Sequence, residues 1–319
     1  MTKHFHINYK QQDKGFQPNH CRLKHNPHIA TPGLHIPTPK SQTQQPQSID
    51  HHNHTHSRAH WFKHNVLQPQ PQHRTACTTR IPSKKPLRVG YWNVTGMLEA
   101  GKAHTLVQSM KHNQIDLLVL TETHLKEPDQ YAIDGYTFTH SADGQRDDQG
   151  KLMQTYTGTS VITAPHITPN LTDIRPIDGR FLRLTLNTAE APLTIIATYA
   201  PHSLRPQPER DQFWDTLTRQ VSQLSPANPF MIIGDQNAQL SLQALQSDSI
   251  TGNHPSHHSH PADDTPSSEV CNDIAMHRLC LEHHLCFPQT WMRKSATQQV
   301  THTRTNGTRV QIDHTICPQ

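Results

Sequence analysis

The sequence predicts an α/β protein built on layered sheets and preceded by a long tail that does not fold. Three observations carry this. The first is a break in composition. Of 319 residues only 32% are hydrophobic, and residues 1–86 hold 12 Lys+Arg against 2 Asp+Glu (+10), whereas residues 87–319 hold 17 against 23 (−6). The second is the alternation, from Leu87 onward, of short β-branched runs with apolar residues at helical spacing, an order that predicts covered sheets rather than a bundle or barrel. The third is that polar residues stand where apolar strands end, the place at which an α/β sheet presents side chains to a cleft.

Residues 1–86 contain 13 of the 28 His and 10 of the 25 Pro, with runs such as HHNHTH and QPQPQ. Such a segment buries too little apolar surface to offset its ordering entropy, and is expected to be disordered. Its basic charge suits salt-sensitive contact with nucleic acid. Residues 87–319 are long enough for a sizeable core. No window approaches about 18 consecutive apolar residues, and MTKHFHINYK lacks the roughly 7–15-residue apolar stretch of a secretory signal. A soluble, intracellular protein with no membrane partner is expected. The six cysteines, at 21, 77, 271, 280, 286 and 317, form no CxxC pair and suit a reducing compartment. Cys271, Cys280, His283, His284 and Cys286 gather in one stretch but lack two closely paired ligand couples, so they read as a helix with incidental thiols rather than a zinc site.

The elements follow in order. RVGYWNV, between Pro86 and Gly96, reads as a strand. Ala103, Leu106, Val107 and Met110 mark one helical face, and IDLLVLT at 115–121 is a run suited to a buried strand. Further strands are predicted near 136–140, 158–164, 180–187, 193–199 and 229–234; several leave no room for helices between them, so some neighbours are antiparallel. Phe213, Leu217, Val221 and Leu224 mark a second helix, and Ser268 with Glu269 opens a third through about His283. The stretches 141–155 and 241–267 read as surface loops. Thr301–Arg304 and Arg309–Ile316, separated by Asn306-Gly307, predict a closing hairpin.

At the strand ends stand Asn93 in YWNV, Glu122 after IDLLVLT, Tyr199 ending TIIATY, and Asp235 with Asn237 after FMIIG. Carboxylates on rigid backbone together with amides make an oxygen-rich site for Mg²⁺, which takes one or two protein carboxylates and fills its shell with water and phosphate. The chemistry suggested is phosphate-ester cleavage.

YWNV, LTETHL, TYAPHS, IIGDQNA and QIDH in this order resemble the endonuclease/exonuclease/phosphatase superfamily, particularly LINE-type retrotransposon endonucleases and craniofacial development protein 2-like domains. The resemblance runs from about Leu87 to the C-terminus. It implies a four-layer α/β sandwich of two mixed sheets flanked by helices, and Mg²⁺- or Mn²⁺-dependent cleavage of DNA, with a nuclear site of action if DNA is the substrate. It assigns metal binding to Glu122 and Asn93, alignment or deprotonation of the attacking water to Asp235, and phosphate contacts to Asn93, Asn237 and Tyr199. Asp313 matches the aspartate that orients a catalytic histidine. Thr303 and Arg304 stand where a Thr-Trp pair is usual, and Gln236 where an aromatic is usual. The family's final strand bears Ser-Asp-His, which occurs nowhere in this sequence. That strand is therefore expected to be missing, with a sheet edge left unpaired. His314 follows Asp313 but strand alternation turns it the other way. Three readings stay open: an endonuclease, a catalytically inactive remnant that binds nucleic acid, and a phosphatase or phosphodiesterase acting on a small phosphorylated or lipid substrate.

Overall fold

Short runs of buried β-branched and aromatic residues give this chain its frame. The computed structural model describes residues 6–9, 86–153, 155–240, 250–254, 272–303, 307 and 309–319. The His-rich runs, Ser268, Glu269, Cys271, Arg304 and Asn306 lie outside them. The described residues belong to one compact unit spanning Met1–Gln11 and Leu67–Gln319.

One sheet contains β1 (His6–Tyr9), β2 (Arg88–Asn93), β3 (Leu117–Thr121), β4 (Asp129–Ile133), β5 (Tyr136–Ser141) and β6 (Thr159–Thr163), in the order β1-β2-β3-β6-β5-β4. The other contains β7 (Leu171–Asp178), β8 (Phe181–Leu186), β9 (Leu193–Tyr199), β10 (Phe230–Asp235), β11 (Leu285–Cys286) and, after the two-residue strands β12 (His302–Thr303) and β13 (Arg309–Val310), β14 (Asp313–Pro318). Its order is β11-β14-β10-β9-β8-β7. Both sheets are mixed: β2 and β3 run parallel, as do β9 and β10, while β3 and β6, and β10 and β14, are antiparallel.

Alternation along the strands decides the layers. In β9 and β10, Ile195, Ala197, Met231 and Ile233 face the first sheet and share its core with Val89, Tyr91, Val119 and Val161. Their neighbours Ile196 and Ile232 face outward and meet Phe213, Leu217 and Val221 of α2 (Gln207–Ser222) and Met276 and Leu279 of α3 (Asn272–Glu282). The first sheet is covered by Leu106, Val107 and Met110 of α1 (Lys102–Asn113). Each such side chain contributes roughly 1.5–3 kcal/mol by leaving water. A short α4 (Ala296–Gln299) opens with a Ser295–Gln298 capping box. Helices outside and two sheets within form the predicted four-layer sandwich. No helix among the described residues is long and apolar enough to cross a membrane.

The departures from expectation have physical reasons. β4 and β7 escape the sequence reading because they are outermost in their sheets: DQYAI and LTDIRPID carry polar residues and a proline that an edge strand tolerates and a central strand does not. The closing hairpin shrinks to the β12–β13 pair, and β14 leaves it to pair with β10, where Ile316 joins the outer core. His6–Tyr9, inside the basic tail, lies parallel to β2 with His6 beside Arg88 and Tyr9 beside Tyr91. A backbone ladder needs no apolar composition, so composition did not reveal it. This strand occupies the edge of β2, which is therefore paired rather than open.

β10 approaches β9 so closely that a Cβ on Gly234 would fall 1.8 Å from the Thr198 carbonyl oxygen. Gly234→Ala is expected to destabilise the protein by about 3 kcal/mol or more in urea unfolding, because either strand must move to admit the methyl. A variant as stable as the parent would show that these strands do not approach at this point.

Candidate functional site

Two parallel strand pairs, β2–β3 and β9–β10, end at one rim of the sandwich and deliver Asn93, Glu122, Tyr199 and Asp235 to the opening between the sheets. β14 starts at the same rim, and its antiparallel register sets Asp313 directly opposite Asp235. Cross-strand partners share a face, so the two carboxylates are neighbours.

Glu122 lies one residue beyond β3 in the left-handed region, at φ 53°. A non-glycine residue there costs of order 1–2 kcal/mol and persists only where its surroundings hold it. Here the Gly96 N–H donates to the Glu122 carbonyl at 2.6 Å, Met97 N–H to Thr123 at 2.8 Å, and Thr123 N–H to Gly158 at 3.1 Å. Thr95, His124 and Asn237 around it are left-handed as well. The side chain so aimed accepts two hydrogen bonds on Oε1, from Asn93 Nδ2 at 2.7 Å and from the Tyr199 hydroxyl at 3.2 Å. The second bond joins the two sheets.

Asp235 and Asp313 are 5% and 7% exposed. Burial and the charge of Asp313 hold the Asp235 carboxyl well above the usual carboxylate range. Burial also raises Asp313, to about 7, opposed by hydrogen bonds from the Thr301 and Tyr91 hydroxyls. The Tyr91 hydroxyl lies 2.8 Å from Thr121 Oγ1, and Asp313 Oδ1 has no hydrogen-bond partner. Arg180 stands beside Tyr199, its guanidinium 5.3 Å from the ring centre; it donates to the Tyr199 carbonyl and pairs with Glu209 at 2.6 Å. Burial and then the Glu122 charge push the Tyr199 phenol upward, so it acts as a hydrogen-bond donor.

All six sequence-predicted residues therefore stand at one rim, though not all as expected. Asn237 is not in extended backbone: φ is 43°, its N–H caps Asp235 Oδ1 at 2.8 Å, and its side-chain nitrogen donates to the Ala200 carbonyl. Gln236 is fully buried and its amide donates to Thr198 Oγ1 at 2.7 Å, so a polar bond replaces the expected aromatic packing. His314 points to the outer layer, between the Ala238 carbonyl at 2.9 Å and Gln289 at 3.1 Å; burial pushes its imidazole down to about 4, and it stays neutral. Thr303 is exposed in β12, and Thr301 reaches Asp313 in its stead. The sequence reading missed Tyr91, Thr301 and Arg180. Tyr91 was legible, being two residues before Asn93 on one strand face; the turn residue Arg180 carried no signal.

Among the described residues no three His, Cys, Asp or Glu side chains surround one point closely enough to hold a metal ion by themselves. The donor set still fits a hard divalent cation that keeps most of its shell as water and substrate. Glu122 offers Oε2, Asn93 offers Oδ1, and the unbonded Asp313 Oδ1 adds negative charge nearby. Beside Tyr199 opens a pocket of about 490 Å³ lined by Arg180, Lys126, His202, Arg205 and Tyr156.

The model for the endonuclease/exonuclease/phosphatase family matches residues 90–319. No curated protein matches the sequence significantly. Solved structures resembling the fold include the endonuclease domain of TRAS1, a telomere-specific non-LTR retrotransposon, at 13% identity over 73% of this chain and 86% of that one, with TM-score 0.46. The AP endonuclease LMAP from Leishmania major shares 15% identity over 72% and 78% of the two chains, with TM-score 0.48. An AP endonuclease from Archaeoglobus fulgidus shares 15% over 72% and 86%, with TM-score 0.47.

The carboxylate pair makes stability depend on pH when no divalent cation is added. A carboxyl whose folded value lies above its unfolded one binds more protons in the native state, so its contribution is full below about pH 4 and is lost as pH rises through about 7. Asp313→Asn is expected to exceed the parent in urea stability by roughly 2 kcal/mol at pH 8, and by little at pH 4. Equal stabilities at both pH values would show that the Asp313 carboxyl is not held out of water in the folded protein.

Proposed function

The chain belongs to the endonuclease/exonuclease/phosphatase family, and from that premise we propose that it hydrolyses phosphodiester bonds in DNA by Mg²⁺-dependent endonucleolytic attack. The observation that carries the proposal is the junction at Glu122, where Asn93 from one sheet and Tyr199 from the other converge on one carboxylate beside Asp235.

In this reading Asp235, oriented by the Asn237 N–H, takes the proton of the attacking water. Burial and the Asp313 charge raise its proton affinity above that of an ordinary carboxylate, which favours its taking a proton. The Tyr199 hydroxyl turns from Glu122 to the phosphate as charge builds there, and the Arg180 guanidinium against its ring adds positive potential. Asn93 and Asn237 position the same group. Mg²⁺, with Mn²⁺ the alternative, would be held by Glu122 and Asn93 and would offset negative charge on the phosphate oxygens. Lys126, Arg180 and Arg205 offer the adjoining pocket phosphate contacts, and the basic tail adds sequence-independent attraction.

A second reading, a nucleic-acid-binding remnant without catalysis, is favoured by one observation. Asp313 is bonded by Tyr91 and Thr301 rather than by an imidazole, and His314 faces the other way. Nicking of supercoiled plasmid by the full chain with Mg²⁺ separates the two. The proposal expects nicking that Glu122→Ala and Asp235→Ala each reduce by about 10²-fold or more, both variants staying folded by circular dichroism. Salt-sensitive DNA binding without nicking would select the remnant. Release of phosphate from small or lipid phosphoesters without nicking would select the phosphatase.

A further inference from the structure

Cys286 of β11 and Cys317 of β14 are direct cross-strand partners in an antiparallel ladder, with their sulfurs 3.9 Å apart. Antiparallel partners have Cα atoms about 4.5–5.5 Å apart, within the span a disulfide bridges, so bonding needs only side-chain rotation. Cys280, fully buried in α3, is near enough for its charge to act on Cys317 but stands in a helix and not in this ladder. We propose that Cys286 and Cys317 form a reversible disulfide under peroxide, a latch fastening β11 to the far end of the strand that carries Asp313.

The chemistry is set by the pair itself. The two sulfurs share a hydrogen bond, and as a thiol Cys286 also donates to the Pro318 carbonyl; with Cys317 as the donor, the shared bond holds Cys286 below the ordinary thiol value and Cys317 above it. Cys286 is therefore the more readily ionised of the two and the attacking sulfur. It is 7% exposed, so a small oxidant reaches it more readily than a bulky one. Cys286 Sγ attacks one oxygen of hydrogen peroxide, the O–O bond breaks, and hydroxide leaves to become water on taking a solvent proton. The sulfenic acid so formed is attacked by Cys317 Sγ; the S–O bond breaks, and the hydroxyl leaves with the Cys317 proton as a second water. Two thiols lose two electrons and one peroxide gains them. The latch closes a loop of 31 residues in sequence separation, long enough for cross-linking to constrain the unfolded chain appreciably.

The test treats the full chain with hydrogen peroxide, quenches it, and maps peptides by mass spectrometry. The expected product is one cross-linked peptide joining Cys286 to Cys317, lighter by two hydrogens and restored by a dithiol reductant. Its melting temperature should rise by roughly 5 °C or more. Cys317→Ser should instead leave a sulfenic acid at Cys286 that a dimedone-type probe captures, and Cys286→Ser should leave Cys317 unmodified. Recovery of both cysteines as free thiols, or oxidation of Cys286 to the sulfinic acid in the parent without cross-linking, overturns the proposal.

Discussion

The candidate site depends on Glu122 being held where a polypeptide does not willingly go. Its left-handed backbone is the point at which β3 stops being a strand, and two adjoining loops tie it down through backbone hydrogen bonds. Because those donors and acceptors are main-chain groups, the geometry is fixed by the fold and not by the rotamers of exposed side chains. The carboxylate then becomes a group to which both sheets are hydrogen-bonded at the rim, through Asn93 and Tyr199. Packing behind it by Ile195, Ala197, Met231 and Ile233 sets the spacing of the sheets, and that spacing brings Tyr199 within reach.

Around this point the protein accepts an electrostatic cost. Burial raises the proton affinity of Asp235 and Asp313, the charges of Asp313 and Glu122 add to it at Asp235 and that of Glu122 at Asp313, and little positive charge lies among them beyond Arg180, itself paired to Glu209. A stable fold has no need of such an arrangement, since burying like charges together opposes folding. It becomes intelligible as a place prepared for positive charge and a phosphate, the pattern by which functional sites are distinguished from structural ion pairs.

Much of this was legible in the sequence. Central strands announce themselves because they are buried on both faces, as β3 and β10 are, and the polar residue that ends each run is conspicuous for the same reason. Edge strands β4 and β7 are half-exposed and polar, so their sequences look like loops. β1 was illegible because its composition is that of the tail and a backbone ladder requires no apolar pattern. Alternation placed Asp313 and His314 on opposite faces, while it says nothing of Asn237, which the turn after β10 carries out of extended backbone. Thr301 and Arg180 lie on turns, where no periodicity says which way a side chain points.

The pairing of β14 with β10 also orders events in time. Asp235 and Asp313 sit opposite one another although α3, β11, α4, β12 and β13 separate them in the chain. Closing so long a connection is entropically slow, and contacts of this kind form late in folding. A growing chain can therefore bury Glu122, Tyr199 and Asp235 while the second carboxylate and its Thr301 partner are still being synthesised. The rim acquires its full negative charge only when the last described strand docks, so a half-made molecule is held together by its sheets yet lacks the charge pattern of its mouth. Completion of the site is in this sense a report that β14 has found β10.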